Sequence, residues 1–375
     1  MIQKSNIAIL GTRGIPNRYG GFERFAEVLA CELAQSGFVM YVLKPTGNRK
    51  ENTILYQRGV YVVPIYTNPL LPKNLQTVIY DFKSLLWFAQ GKCSIALECG
   101  HSFSFWLPFF SASVKRRIVI NMDGLEHKRE KWNFFGKTFL QITEKLAVKS
   151  SCGIICDHPE IAEYIHNKYN RFTEYIPYGA YLPGKPNTSG QINKYNLVEN
   201  DYCLVIARIT PENNLEMVCK CFIKNDYTLA IVGNISGKYA EQLQKRFNKK
   251  NIRFLGDIYE QDTLNALRSL CKYYIHGHSV GGTNPSLLEA MACGCRIIAH
   301  DNPFNRYVLD ENALFFRDQS ELTEIINHKS ISTPDWEIFS KKNIQRLGNE
   351  YNWAIVTDMY KVQILKMISE QVVNT

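Results

Sequence analysis

The strongest chemical pattern in this chain runs from His276 to Asp301. Gly281 to Pro285 spell a Gly-Gly-Thr-Asn-Pro turn. A short helix is expected from Ser286, carrying Leu287, Leu288, Ala290, Met291 and Ala292. Gly294 follows, then an apolar strand from Arg296 to Ala299. A glycine-rich turn running into a helix start leaves backbone N–H groups aimed at one spot, a setting that suits a phosphate. Glu289 lies about one turn into that helix, where a carboxylate can accept hydrogen bonds from the vicinal hydroxyls of a ribose. Its plainer use is to complement the positive end of the helix. Phosphate and ribose held together describe a nucleotide or a nucleotide sugar.

Three further groups of residues follow apolar runs. Gly11 to Arg24 read GTRGIPNRYGGFER, and there Gly20 and Gly21 permit close backbone approach to a diphosphate or an acceptor, with Arg13 and Arg18 adding charge. The loop is not G-x-G-x-x-G, and Tyr41 to Lys44 end the next strand without an acid for a ribose, which argues against a dinucleotide site. Ala207 to Leu215 read ARITPENNL, placing Arg208 just past a strand, with Glu212 as its plain ion-pair partner. Asp123, Asp157 and Tyr178 stand at three other strand ends. Asp157 has the alternative role of capping the helix that begins there, and His101 and His127 are weaker candidates.

These residues need a scaffold of alternating strands and helices. Strands are expected at Ile7–Leu10, Phe38–Leu43, Val60–Ile65, Ser94–Leu97, Ile118–Asn121, Gly153–Cys156 and Glu174–Ile176. Helices are expected at Phe22–Ser36 and Leu75–Ala89. A second series has strands at Tyr202–Ala207, Thr228–Val232, Ile252–Leu255, Tyr273–His276 and Arg296–Ala299. Its helices fit Leu215–Lys224, Tyr239–Asn248, Glu260–Leu270 and Pro285–Cys293. Short apolar strands in strict alternation with helices imply parallel sheets covered on both faces. The expected division is residues 1–180, a polar linker 181–199, residues 200–352, and a C-terminal helix at 353–375 that crosses back to the first domain. The fold class is α/β, two doubly wound Rossmann-like domains facing across a cleft, with ligands at the carboxyl ends of the strands.

The His276–Asp301 segment resembles the C-terminal signature of the retaining nucleotide-sugar glycosyltransferases of family 4, which have the two-domain GT-B fold. That signature carries two glutamates eight positions apart; Glu289 matches the second, and Gly281 stands in place of the first. The Gly-Gly-Thr-Asn-Pro spelling and the N-terminal GTRGIPNRYGGFE string are similar to a bacterial rhamnosyltransferase subgroup of cell-surface polysaccharide assembly. The resemblance implies that Glu289 holds the donor ribose, and that Arg208 meets the donor diphosphate. Asn213 stands where the family usually has a second diphosphate cation, Lys. Ile258 falls where the backbone meets the base. Gly20, Gly21, Thr283, Ser286 and Leu287 complete the expected donor-binding set, and Asp123, Asp157 and Tyr178, at strand ends facing the cleft, are the expected catalytic positions. It also implies a dTDP-L-rhamnose donor, a lipid-pyrophosphate-linked sugar acceptor and no metal cofactor. Rival readings are a hexosyltransferase using a UDP- or GDP-sugar, a nucleotide-sugar epimerase of the same fold, and a non-catalytic nucleotide-sugar-binding protein.

Composition sets the outer limits. The chain has 375 residues, 45% hydrophobic and 21% charged, which suits about two ordinary globular domains. No apolar run approaches the roughly 18 residues of a membrane span, and the N-terminus lacks a signal-peptide pattern, so a cytoplasmic location is expected. The eleven cysteines are scattered without C-x-x-C or zinc spacing and read as reduced thiols. The formal net charge of +9 meets no nucleic-acid-binding motif, and no nucleic-acid partner is expected. Phe103–Phe110 (FSFWLPFF), Ser113–Ile118 (SVKRRI) and Lys128–Lys137 (KREKWNFFGK) interleave aromatic and basic residues. They read either as packed edges or as a peripheral contact with an anionic membrane on its inner face.

Overall fold

The computed structural model describes residues 5–373, except 18, 19, 123, 130, 131, 185–189, 224, 250 and 328–332. It divides into two compact units. One comprises residues 1–127, 134–178 and 353–375; the other comprises 128–133 and 179–352.

The first unit is built on an eight-stranded sheet: β1 (Asn6–Leu10), β2 (Val39–Thr46), β3 (Ile54–Gln57), β4 (Val60–Tyr66), β5 (Ile95–Cys99), β6 (Ile118–Met122), β7 (Gly153–Cys156) and β8 (Glu174–Tyr175). Its strand order is β3-β4-β2-β1-β5-β6-β7-β8. Every pairing is parallel except β3 with β4. The antiparallel β3 is exposed along its whole length, so it lacks the buried apolar run that marks the other strands. The helices are α1 (Gly21–Gln35), α2 (Lys73–Ala89), α3 (Ala112–Lys115), α4 (Phe134–Ser150) and α5 (Pro159–Tyr169). Helix α1 forms because Phe25, Ala26, Leu29, Ala30 and Leu33 fall on one face and are buried, and Gly37, with φ of 98°, ends the run.

The second unit holds a six-stranded, wholly parallel sheet: β9 (Tyr202–Ile206), β10 (Thr228–Val232), β11 (Ile252–Gly256), β12 (Tyr273–His276), β13 (Ile297–His300) and β14 (Leu314–Phe316). Around it lie α6 (Leu215–Phe222), α7 (Lys238–Phe247), α8 (Gln261–Ser269), α9 (Pro285–Ala292), α10 (Pro303–Leu309), α11 (Gln319–Asn327) and α12 (Thr333–Glu350). The order β11-β10-β9-β12-β13-β14 reverses direction between β9 and β12. In doubly wound sheets the crevice at such a reversal is where ligands bind. The core here is Cys203, Val205, Val218, Phe222, Leu229, Ile231, Ile252, Ile275 and Ile298, all under 3% exposed. The last helix, α13 (Trp353–Val373), packs in the first unit, where Trp353 and Tyr360 lie against Phe25 of α1.

All eleven cysteines are free thiols. No described helix is long and apolar enough to cross a membrane.

Candidate functional site

In the second unit the chemistry gathers at the β9/β12 reversal. The loop leaving β9 carries an exposed Arg208, and the loop leaving β12 begins at Gly277. These two loops press together. A Cβ on Gly277 would lie 2.4 Å from the Asn213 carbonyl oxygen, so only glycine fits. Asn214 donates to the Gly277 carbonyl at 2.9 Å, and the Ser279 hydroxyl donates to the Glu212 carbonyl at 2.8 Å. Asn213 is 4% exposed, and its side-chain NH2 donates to the Arg208 carbonyl at 2.7 Å. The residue standing where a lysine was expected therefore braces the backbone that presents Arg208. Glu212 is buried, and its Oε2 has no hydrogen-bond partner.

The turn into α9 departs from the sequence expectation in one respect. Free N–H groups were expected at the start of this helix. Asn284 is the N-cap: its Oδ1 accepts from the Ser286 N–H at 3.0 Å and from the Ser286 hydroxyl at 2.8 Å. Its carbonyl accepts from the N–H groups of Leu287 at 3.1 Å and Leu288 at 3.2 Å, and Pro285 has no N–H to offer. The helix start is thus self-capped, and a strong Asn cap explains why. The Leu287 side chain is 1% exposed and Thr283 2% exposed, so both lie inside the turn.

Glu289 is fixed by a residue the sequence did not single out. Arg268 of α8 is 1% exposed, and its Nη2 donates to Glu289 Oε2. Glu289 itself is 22% exposed. A buried guanidinium needs a counter-charge, so the pair locks the carboxylate in one orientation while part of it faces outward. Arg268 falls on the apolar face of α8 beside Thr263, Leu264 and Leu267. An arginine on an inward helical face was the signal available in the sequence. Ile258, half-buried, lies in the loop after β11 beside Asp257, which accepts from Asn234 at 2.5 Å.

Histidines line the strand ends. His276 closes β12 and stacks on His278, with ring centroids 4.3 Å apart and planes at 12°. Both His276 ring nitrogens and the His278 Nδ1 are buried without hydrogen-bond partners. Burial pushes the His276 imidazole down to about 3, helped by His300 on β13. His278 is pushed down by burial, then by His276 and by the charges of Arg208 and Arg129. Both rings are neutral near pH 7.

In the first unit, Gly20 is the extended N-cap residue of α1 and Gly21 its first residue. The Tyr178 hydroxyl donates to the Gly21 carbonyl at 2.8 Å, and its ring packs on Phe25 and Trp353. Tyr178 thereby ties the segment after β8 to the start of α1. The Glu23 carboxylate accepts from the Arg13 N–H at 3.0 Å. Arg18 and Asp123 lie outside the described residues. Asp157 is 5% exposed at the end of β7, but it is not the helix cap: His158 Nδ1 accepts from the Glu160 N–H at 3.1 Å and caps α5 instead. His127 and Glu144 form a buried pair at 3.1 Å, and His101 Nδ1 meets the Thr143 hydroxyl at 3.1 Å. At the β1/β5 reversal of this sheet lie two carboxyl groups that sequence reasoning passed over. Burial raises Glu98 well above the usual carboxylate range and pushes Asp81 up to about 7. Glu98 leaves Gly11 no room for a side chain, since a Cβ there would sit 2.3 Å from its Oε1.

Of the residues expected to line a lipid, Arg129 is corrected. It is 6% exposed and belongs to the 128–133 segment that packs in the second unit. Lys131 lies outside the described residues. Phe105, Phe109, Phe134, Phe135 and Phe139 are exposed, with Phe134 and Phe135 at 77% and 80%. The FSFWLPFF stretch is a 3-10 helix that buries Phe103 and Leu107 and leaves Phe105 and Phe109 outside. Among the described residues, no group of three or more His, Cys, Asp or Glu side chains is arranged to hold a metal ion.

Comparison with known proteins bears on these sites. Residues 190–328 match the family "Glycosyl transferases group 1", a span that takes in Arg208, the turn at Gly281 and Glu289. Residues 102–181 match a domain of unknown function, DUF1972. The fold is shared, over 99% of this chain and 100% of the other, with sucrose-phosphate synthase from Thermosynechococcus elongatus, at a TM-score of 0.80 and 15% identity. HepE from Anabaena, solved with UDP and glucose, gives 0.74 at 15% identity over 98% and 100%. An α,α-trehalose 6-phosphate synthase from Burkholderia multivorans gives 0.74 at 10% over 98% and 100%. The architecture is that of GT-B glycosyltransferases. A Clostridium perfringens protein described as a probable molybdenum cofactor guanylyltransferase is 30% identical over 164 residues, 42% of this chain and 77% of that protein. By that match the chain belongs to one family with it over the shared stretch; guanylyl transfer is the description of that protein.

Proposed function

We propose that this chain is a nucleotide-sugar glycosyltransferase that moves L-rhamnose from dTDP-L-rhamnose, with retention, to a lipid-pyrophosphate-linked sugar; the group 1 match over residues 190–328 and the fold shared with nucleotide-sugar enzymes support this reading. The observation that carries the donor site is the Arg268–Glu289 pair beside the β9/β12 reversal, where Arg208 also emerges. In this reading Glu289 takes the 3′-hydroxyl of the deoxyribose, and Arg208 neutralises the diphosphate. Transfer breaks the bond between the anomeric carbon and the diphosphate oxygen and forms one to the acceptor oxygen. The acceptor proton passes to the departing phosphate on the same face. Charge grows on that phosphate as the bond breaks, and preorganised donors around it lower the barrier. Asp157 and Tyr178 belong, on this reading, to the machinery that meets the acceptor or the sugar.

The acceptor side is supported by the exposed aromatics of the first unit. The Phe105 and Phe139 ring centroids lie 5.8 Å apart, Phe109 and Phe134–Phe135 are largely exposed, Lys137 is on α4, and Arg116 follows α3. Aromatic rings with basic neighbours suit the anionic inner face of a membrane, where a lipid-linked acceptor resides. A second reading has a specific observation in its favour. A carboxylate such as Glu289 can hold both hydroxyls of a ribose, whereas a deoxyribose offers one, and HepE was solved with UDP-glucose. A UDP-hexose donor is that reading. A donor panel distinguishes the two: transfer of a deoxyhexose from dTDP-L-rhamnose alone supports the first, and transfer of a hexose from a UDP-sugar alone supports the second.

A further inference from the structure

His101 follows β5 at the β1/β5 reversal of the first unit's sheet. Gly100, just before it, takes a left-handed φ of 86°, and a Cβ there would lie 3.6 Å from the Phe22 ring of α1. The strand end therefore rests against the start of that helix. His101 is 4% exposed, and its Nδ1 lies 3.1 Å from the Thr143 hydroxyl of α4. A threonine hydroxyl has one proton, and Thr143 donates it to the Leu140 carbonyl at 3.0 Å. Thr143 can only accept from His101, which puts the imidazole proton on Nδ1 and leaves Nε2 a bare lone pair. Nε2 is buried and has no hydrogen-bond partner. Burial holds the ring below its usual range, against the pull of Glu144 and Glu126, so the lone pair stays unprotonated near neutral pH. Ser104 lies on the first turn of the 3-10 helix Ser102–Phe109, where its N–H donates to the His101 carbonyl at 3.1 Å. It is fully buried, and its hydroxyl also has no hydrogen-bond partner.

Each buried polar atom left without a partner costs about 1–3 kcal/mol. Two of them share one turn at the carboxyl end of β5, beside the reversal where doubly wound sheets take ligands. Their chemistry selects the ligand. A bare Nε2 accepts and cannot donate, while a serine hydroxyl does both. A phosphate oxygen brings only lone pairs to Nε2, whereas a sugar hydroxyl brings the proton that Nε2 lacks. We propose that His101 Nε2 and Ser104 Oγ form the subsite that holds a hydroxyl of the acceptor's neutral sugar, with Thr143 as the positioning residue that fixes the His101 tautomer. The inference rests on the glycosyltransferase reading and names, within the first unit, which end of the acceptor is held there: the sugar rather than its pyrophosphate. The contact is a hydrogen bond without proton transfer, so the departing phosphate still takes the acceptor proton.

The test is steady-state transfer by the full-length protein to a synthetic lipid-pyrophosphate N-acetylglucosamine, with dTDP-L-rhamnose and UDP-glucose as donors, read separately for acceptor and donor KM. The variants are His101→Asn, His101→Gln and Ser104→Ala. Asparagine can still donate to Thr143 but has nothing at the Nε2 place, and glutamine carries an amide oxygen that reaches it. The expected result is a rise of about tenfold in acceptor KM for His101→Asn, a smaller rise for His101→Gln and Ser104→Ala, and donor KM within about twofold of wild type throughout. Acceptor KM at the wild-type level in His101→Asn, or acceptor and donor KM rising together, overturns the proposal and leaves His101 a packing residue. If the His101 variants do not fold, imidazole 15N spectra of the wild-type protein decide. The expected His101 signal is that of a bare Nε2, and it moves when the acceptor is added; an Nε2–H tautomer, or a signal the acceptor leaves in place, overturns the proposal. A wild-type protein that transfers from neither donor overturns the glycosyltransferase reading itself, and this inference with it.

Discussion

Glu289→Gln is the most informative single change, because the structure gives it two separable consequences. Arg268 is 1% exposed and has Glu289 as its ion-pair partner. Removing one partner of a buried pair leaves an uncompensated charge and costs about 3–5 kcal/mol. Glutamine can still accept one hydrogen bond and Glu289 is partly exposed, so the loss belongs at the lower end, about 3 kcal/mol. For a domain of this size that is a fall in melting temperature of roughly 6–12 °C. The second consequence is on ligand. A hydrogen bond to a charged group contributes about 1.5–3 kcal/mol, so nucleoside diphosphate affinity should fall by about 10- to 150-fold, more for UDP than for dTDP. The two effects separate in the double variant Arg268→Met with Glu289→Leu. Replacing a buried pair by apolar residues is often neutral, so stability should return while affinity stays lost. The assays are thermal unfolding by circular dichroism and calorimetric titration with UDP and dTDP. Wild-type melting in Glu289→Gln would refute the buried-charge argument. Wild-type affinity in the double variant would refute Glu289 as a ligand contact.

Other predictions follow from the same geometry. His276 is held neutral down to about pH 3 by burial, so the unfolded chain binds its proton first, from about pH 6.5 downward. Its contribution to stability is therefore complete above pH 6.5 and declines as pH falls toward 3; urea midpoints at pH 7.5 and 5.5 should differ less in His276→Phe than in wild type. Burial alone would raise Glu144, but hydrogen bonds from His127, Tyr169 and Lys168 bring it down to about 2. Its stabilisation is present above the ordinary carboxylate range and is lost as pH falls from about 4.5 to 2; Glu144→Gln should cost about 3 kcal/mol at pH 7 in urea unfolding, and near wild-type stability would contradict the pairing. Phe134→Ser with Phe135→Ser should weaken binding to anionic vesicles at least tenfold in a sedimentation assay while leaving the melting temperature unchanged, since both rings are largely exposed.

Most of the strand and helix pattern was legible because the parallel strands are fully buried apolar runs and the helices between them keep one apolar face. Ile7–Leu10, Thr228–Val232 and Tyr273–His276 show this. The edge strand Ile54–Gln57 was not legible, since its pairing to β4 is antiparallel and its side chains are exposed. At the site, the turn before Glu289 and the position of Arg208 could be read from local spelling. Arg268 was visible only as an arginine on an inward helical face, since its partner Glu289 is distant in sequence. Nothing near Arg129 reveals that its short segment packs in the second unit. The same limit left the two readings of Lys128–Lys137 undivided, although Arg129 is buried while Phe134 and Phe135 are exposed, and it hid the Asn284 cap that uses the N–H groups expected to be open at the α9 start.

The proposed chemistry is sugar transfer from a nucleotide sugar through the Glu289 site. The direct measurement is product mass after incubating purified protein with a synthetic lipid-pyrophosphate N-acetylglucosamine acceptor and, in separate tubes, dTDP-L-rhamnose and the UDP-sugars of glucose, galactose and N-acetylglucosamine, with Glu289→Gln alongside. The predicted result is one added deoxyhexose in the dTDP-L-rhamnose tube only, at least tenfold slower in the variant. An acceptor of unchanged mass in every tube, with the donor bound but unconsumed or consumed without any acceptor, would contradict it.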